Sequence, residues 1–233
     1  MDILFVIPYV PNLIRVRPYN LIKCLSELGH RITLITVWEY EKERNDLEKL
    51  RAFCHHIEAF HLSKARSYWN CLITVPTANP LQSAYSWSPE AARRLTRMIG
   101  ELNGKQSFDV AHVEHLRGVR YGLYLKKNHS STPVVWDSVD CISLLFQQAA
   151  QHSTKCLNRW LTQFELSRTK RYEGWLLKQF DRTVVTSQTD LEALISLNSE
   201  MPDKGSPSVV PNGVDLSYFI PGEFESREPA TLV

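Results

Sequence analysis

Short apolar runs alternate along this chain with longer stretches whose apolar residues recur every three or four positions. Residues 3–7 (ILFVI) form an unbroken apolar run, the pattern of a strand covered on both faces. Pro8-Tyr9-Val10-Pro11-Asn12 breaks it. A helix is predicted over 17–28, with Leu21, Ile22, Leu25 and Leu28 on one face and Gly29 as its stop. Residues 31–38 (RITLITVW) predict a second strand and complete a βαβ unit, which implies a parallel pair with a right-handed crossover.

The same alternation continues. A charged helix with a solvated face is predicted over 41–52, and a weakly alternating third strand over 54–62. Residues 63–88 are the least regular stretch, with Trp69, Pro76, Pro80, Tyr85 and Trp87, and read as a long functional or mobile loop. A helix over 89–102 starts cleanly, with Ser88 as cap, Pro89 at its first position and Ala91, Ala92, Leu95, Met98, Ile99 and Leu102 facing inward. Strands are predicted over 108–115, 133–140, 181–187 and 209–210, and helices over 119–127, 147–179 and 188–197, the last capped by Ser187 or Thr189. About seven such units fold as one α/β domain with a single doubly wound, mostly parallel, Rossmann-like sheet. That domain is expected to span 1–222. Residues 223–233 read as a charged linker followed by the opening of another strand.

Composition narrows the class. The chain has 233 residues and a formal net charge of +2, which alone argues neither for nor against nucleic acid, because local patches matter more than totals; no nucleic-acid partner is expected. The longest apolar runs fall far short of a membrane span, and Asp2 leads straight into the first strand without the features of a signal peptide. Five scattered cysteines form no CxxC pair, as for reduced thiols in a cytosolic protein without a zinc site.

The most distinctive stretch is 209–221, VVPNGVDLSYFIP. Pro211 ends a short strand, and Asn212-Gly213 predicts a tight turn because both residues tolerate positive φ. On physical grounds this is a strand, a turn and a connector. Its residue order resembles the segment that closes the N-terminal domain of family 4 glycosyltransferases of the GT-B fold. DVAHVEHLRG (109–118) is similar to that family's "DVVHxH" strand, and FDRTVVTSQTDLEAL (180–194) to its segment in which a serine at a strand end opens a cleft-lining helix. HVEHLRG with WDSVDCIS (136–143) resembles a narrower group, the sugar transferases of bacterial exopolysaccharide and exosortase systems.

The resemblance implies the N-terminal, acceptor-side half of a GT-B architecture. The partners it implies are a nucleotide-sugar donor and a polysaccharide or lipid-linked acceptor, with retention of anomeric configuration. The nucleotide sugar is then a co-substrate, with no cofactor or metal. The nucleotide would be held by a C-terminal domain that these residues do not contain, leaving the chain weak or inactive alone. It also implies a cytoplasmic location, with contact at the inner face of the plasma membrane. A non-catalytic module binding a glycan or lipid head group, or one half of a split transferase, is the alternative. A dinucleotide oxidoreductase fits poorly, since the first βα turn lacks GxGxxG.

The candidate site residues lie at the carboxyl ends of the predicted strands, where open α/β sheets bind ligands. The family usually has a glycine-rich turn after the first strand, and this chain instead offers Arg15 and Arg17, beside Tyr19 and Asn20. These arginines read either as clamps for a phosphate or carboxylate or as solvated residues at a helix start. On the strand before Leu116, His112 and Glu114 share one face and Val113 and His115 the other. HxxH on a strand does not make a zinc pair. His112 is either substrate-binding or a buried histidine partnered by Glu114.

The family's last histidine, which often lies beside the transferred sugar, falls on Glu114 or His115 depending on a one-residue shift. These two are the catalytic candidates, and Arg117 would lie near the same cleft. Asp137 and Asp140 end the next strand; they can bind hydroxyl-rich ligands, or Asp140 can cap the following helix. Ser187, Asn212 and Gly213 complete the acceptor or sugar-binding set. Tyr68, Trp69, Tyr85 and Trp87 form an acceptor-side hypothesis. The basic residues Arg168, Lys170, Arg171 and Lys178 suggest either docking to anionic lipid or a solvated helix face. His55, His56 and His61 lack the spacing of metal ligands.

Overall fold

The computed structural model describes residues 1–101, 108–128, 131–152, 156–198, 206–214, 216 and 220. The elements follow in the order β1 (Asp2–Ile7), α1 (Val16–Glu27), β2 (Arg31–Trp38), α2 (Glu43–Leu50), β3 (His56–His61), α3 (Lys64–Thr74), α4 (Leu81–Tyr85) and α5 (Pro89–Glu101). There follow β4 (Val110–Glu114), α6 (His115–Asn128), β5 (Val134–Val139), α7 (Ile142–His152), α8 (Cys156–Leu176), β6 (Arg182–Val185), α9 (Gln188–Ser196) and β7 (Ser208–Val209). All seven strands pair in parallel, in the order β3-β2-β1-β4-β5-β6-β7. The chain runs outward from β1 to β3, returns to β4 beside β1, and then runs outward the other way. The topological switch point of this doubly wound sheet therefore lies between β1 and β4.

The apolar runs explain the centre of the sheet. Ile3 to Ile7 are all buried, as are Ile32, Leu34, Ile35 and Val37 of β2. One core packs α5 and α6 against β4 and β5, with Trp136 at its heart; the other packs α1 and α2 on the opposite face of β1 and β2. Gly29 ends α1 with φ +83°, its N–H donating to the Ser26 carbonyl at 2.9 Å. Ser88 caps α5 by accepting the Ala91 N–H at 3.3 Å, and Ala91, Ala92, Leu95, Met98 and Ile99 are buried as the pattern requires. Leu102 lies outside the described residues.

The structure departs from the sequence reading in several places. Residues 63–88 hold two helices, α3 and α4, because Ser63 caps α3 and its inward Asn70 and Thr74 find internal partners. The long helix expected over 147–179 is two, α7 and α8. Helix α6 starts at His115, four residues earlier than expected, so His115 lies on no strand. His115 enters the helix at φ +60°, a backbone conformation open to few side chains. Asp140 does not supply the cap of α7. Glu173 accepts the Ile142 and Ser143 N–H groups at 2.9 and 3.0 Å, and Asp190 accepts that of Cys141 at 2.8 Å. Asn212-Gly213 adopts no positive φ; among the described residues only Gly29, His115 and Val139 do. Residues 223–233 lie outside the described residues.

Candidate active site at the switch point

A cavity of about 440 Å³ opens at the carboxyl ends of β1, β4, β5 and β7. Tyr9, Arg15 and Arg17 reach it from the β1–α1 segment, Glu114 from the last position of β4, Val139 from the end of β5, and Asn212 and Gly213 from the chain after β7. The sheet puts these residues together: in β4, Glu114 sits in register with Asp137 of β5.

Glu114 is the chemical centre. Its side chain is almost fully buried, and Tyr9 donates its Oη–H to Oε1 at 2.8 Å. The other oxygen, Oε2, is buried with no protein partner, although the residue lines the cavity. Burial drives the carboxyl pKa up to about 8, offset in part by the Tyr9 hydrogen bond, with the nearby Asp137 charge adding to the rise. Near neutral pH, Glu114 is therefore largely a carboxylic acid with one oxygen fixed by Tyr9 and the other buried without a partner beside the cavity. Burial and the neighbouring carboxylate likewise push the Tyr9 phenol up, so it stays a donor.

Behind Glu114 lies a charged strut. Arg17 Nε donates to Asp137 Oδ2 at 2.8 Å, and Arg17 Nη1 donates to the Val210 carbonyl at 2.8 Å and to Asn212 Oδ1 at 3.1 Å. Arg17 thus binds β5 to the chain leaving β7, and only its Nη2 is buried without a partner. Arg15 stacks over the Tyr9 ring at 4.6 Å and donates to Glu43 Oε1 at 3.2 Å. Both arginines line the cavity, but their guanidinium groups are already engaged. Arg17 is buried rather than solvated, whereas Arg15 remains more than a third exposed at the start of α1.

Asp137 is fully buried, and its Oδ1 accepts the Val139 N–H at 3.1 Å. The β5–β6 register shifts between Asp137 and Val139, and Val139 has φ +66°. A β-branched residue in that region is strained, and the bulge turns the Val139 side chain into the cavity wall. His112 lies beneath Asp137, with Nε2 at 3.5 Å from Oδ2 and no hydrogen-bond partner on that nitrogen. Burial is the larger influence and keeps the imidazole neutral, against the pull of Asp137. Its partner across the strand face is Asp137, not Glu114.

The remaining candidates lie apart from the cavity wall. His115 packs edge-on to Tyr9, accepts the Arg117 N–H on Nδ1 at 3.3 Å, and has its pKa lowered to about 4 by burial. Arg117 turns the other way, its guanidinium over the Tyr85 ring at 4.9 Å. Asp140 has its pKa raised by burial and by Asp190, and it bonds Thr186. Ser187 caps α9 by accepting the Asp190 N–H at 3.1 Å, and its hydroxyl also bonds the Asp190 carboxylate. Among the described residues no group of three or more His, Cys, Asp or Glu side chains could hold a metal ion. No described helix is long and apolar enough to cross a membrane.

Several cavity residues escaped the sequence reading, among them Tyr9 and Val139. Tyr9 stands two residues past β1 at the switch point, a position that could have singled it out. Val139 carries no sequence signal, because its strain arises from the bulge.

Comparison places this architecture. The profile of Glycosyltransferase Family 4 matches residues 15–218, and the chain belongs to that family. Its Rossmann-like sheet is that of the N-terminal domain of GT-B glycosyltransferases. Arabidopsis thaliana UGT89C1, solved in complex with UDP-L-rhamnose, superposes with a TM-score of 0.52 at 12% identity, over 90% of this chain and 51% of that one. UGT2 of Phytolacca americana, solved as the apo form, gives a TM-score of 0.49 at 12% identity, over 91% and 52%. TcCGT1, solved with UDP, gives 0.48 at 13% identity, over 91% and 50%. The chain spans about half the length of these solved relatives. No curated protein matches it.

Proposed function

We propose that this chain is the acceptor-side half of a glycosyltransferase that moves a sugar from a nucleotide-sugar donor to a glycan or lipid-linked acceptor. The supporting observation is Glu114. It is a buried, largely neutral carboxyl held by Tyr9 at the wall of a cavity of about 440 Å³. Such a group hydrogen-bonds a sugar or acceptor hydroxyl without the desolvation cost of a full charge. Arg17, Asp137 and Asn212 fix the walls, and the Arg17 Nη2 offers one further donor. His112 and His115, both neutral, position the strand end and Tyr9 rather than carry charge.

Family membership supports glycosyl transfer in general, and retention of configuration is the expectation that comes with it. Service in bacterial exopolysaccharide assembly rests on the HVEHLRG and WDSVDCIS resemblance. This reading requires donor-binding groups to be supplied by a second half of the enzyme. The second reading, a glycan-binding module without activity, fits the same cavity.

The first measurement is the DNA sequence beyond codon 233. The functional test then compares wild type, Glu114→Gln and Glu114→Ala, with the donor half supplied, over a panel of nucleotide sugars and soluble or lipid-linked glycan acceptors. Transfer that falls about a hundredfold or more in Glu114→Ala supports the transferase reading. Glycan binding without transfer by wild type favours the module. Transfer unaffected by either substitution overturns the role given to Glu114.

A further inference from the structure

Helix α3 is amphipathic with its polarity reversed. Its buried positions are Ser67, Asn70 and Thr74, whereas Tyr68, Trp69, Leu72 and Ile73 are each more than half exposed. At about 100° per residue these four, with Val75, fall within a single arc of about 160°. The inward polar face is firmly held. Asn70 Nδ2 donates to the Trp87 carbonyl at 2.8 Å, and Thr74 Oγ1 to the Asn70 carbonyl at 2.7 Å. Arg168 of α8, itself buried, donates to the Thr74 carbonyl at 2.9 Å, the Val75 carbonyl at 3.2 Å and the Thr77 carbonyl. The apolar face therefore cannot rotate inward without breaking these bonds. A helix this well seated with its aromatic side outward has been shaped for a second apolar phase.

The charges around it select that phase. Residues 63–88 contain no Asp or Glu, and Lys64 and Arg66 flank the apolar arc on either side. Just past α3, Ala78 and Asn79 form the rim of a groove of about 560 Å³. Arg120, Lys127 and Arg171 line that groove beside Trp87 and Trp175, and among the described residues no acidic one does. Arg120 stacks over Trp87 at 4.6 Å, and Trp175 is nearly half exposed. Aromatic rings with an apolar body and a polar edge, ringed by cations, suit the interface of an anionic bilayer, and the nearby Glu39 carboxylate is engaged by Tyr85 and lies near Lys64.

We propose that the outer face of α3 inserts into the headgroup region of an anionic membrane, with the Arg120–Lys127–Arg171 groove taking lipid phosphates beside it. The surface is separate from the switch-point cavity, and the proposal holds whatever sugar that cavity takes. It also relocates the lipid contact suggested by the basic stretch of α8. Arg168 is an internal tie, and Arg171 alone of that set reaches the groove.

The test is flotation of the full chain with vesicles of phosphatidylcholine alone and of phosphatidylcholine carrying about 30% phosphatidylglycerol. Tryptophan quenching by brominated lipid is read in parallel. The wild type is expected to partition at least about tenfold better to the anionic vesicles, less so at high salt. Its fluorescence should be quenched by shallow bromines. The triple variant Trp69→Ser, Leu72→Ser, Ile73→Ser changes only exposed side chains, so its thermal transition should match wild type while partitioning falls about tenfold or more. Lys127→Gln with Arg171→Gln should abolish the preference for anionic lipid and spare residual binding. A chain that stays unbound at both compositions overturns the proposal, as does a triple variant that binds like wild type. Concentration-dependent dimers that the triple variant dissolves, with no vesicle binding, would assign the face to a second copy instead.

Discussion

Arg17 at the start of α1 donates from Nε to Oδ2 of Asp137 at the end of β5 across 2.8 Å, joining residues 120 positions apart. Both side chains are nearly inaccessible to water. The pair closes the floor of the switch-point cavity, and Arg17 carries the tie onward to Asn212. Removing one member strands the other charge in a dry site, which costs about 3–5 kcal/mol. Arg17→Ala is therefore expected to lower the unfolding free energy by about 3 kcal/mol in urea titrations. Arg17→Ala combined with Asp137→Asn should recover part of that loss. A single variant as stable as wild type would mean that water reaches Asp137.

Glu114 makes the stability of the fold depend on pH in a defined direction. Its carboxyl ordinarily titrates near 4.5 and is raised to about 8 in the fold. Below about pH 4.5 both states hold the proton and nothing is lost. Between about pH 4.5 and 8 the unfolded chain releases the proton while the folded chain keeps it, so the contribution of Glu114 falls as pH rises, and it levels off above. Glu114→Gln cannot ionise. Its melting temperature is expected to exceed that of wild type by several degrees near pH 8 and to match it near pH 4.5. A pH-independent difference would rule out the buried neutral acid.

Glu173 tests how the end of β5 is held. It is fully buried, accepts the first N–H groups of α7, and has its pKa raised to about 7 by burial. Glu173→Ala leaves those amides without partners and should cost about 2–3 kcal/mol. Glu173→Gln keeps one acceptor oxygen and should cost less. Thermal unfolding of the two variants, measured near pH 6, separates the cases.

Two glycines give a contrast in packing. A Cβ on Gly174 would stand 2.7 Å from the Leu197 carbonyl oxygen, whereas one on Gly213 would meet nothing within 4 Å. The obstacle at Gly174 is backbone, which cannot swing aside, so Gly174→Ala should destabilise by about 1–3 kcal/mol. Gly213→Ala, at a site with no positive φ, should leave the denaturation midpoint unchanged.

The sheet was legible in the sequence because each central strand is an apolar run flanked by turn residues, and that pattern survives any tertiary context. Residues 31–38 were placed to the residue, and Gly29 and Ser88 marked helix ends by local chemistry alone. Errors fell where local signals were mixed. Residues 63–88 read as loop although Tyr68, Trp69, Leu72 and Ile73 recur at helical spacing, because Pro76, Pro80 and the scattered aromatics around them interrupt the pattern. His115 read as strand because nothing local announces that a chain will turn at φ +60° and start a helix there.

Glu114, Asp137, Arg17 and Asn212 could all be named as site candidates from strand ends and family resemblance. What each does could not, because a guanidinium in sequence reads the same whether it awaits a phosphate or holds a carboxylate. The pairing of Arg17 with Asp137, the lone partner of Glu114 in Tyr9 and the departure of Arg117 toward Tyr85 are all long-range contacts. They exist only once the crossovers stack β1, β4 and β5 side by side. Periodicity and end signals act over a few residues, so the chain itself determines the strands, most helices and the family. Burial and charge pairing depend on neighbours distant in sequence, so only the folded sheet decides that Glu114 is a neutral acid and that α3 presents its apolar side to the outside.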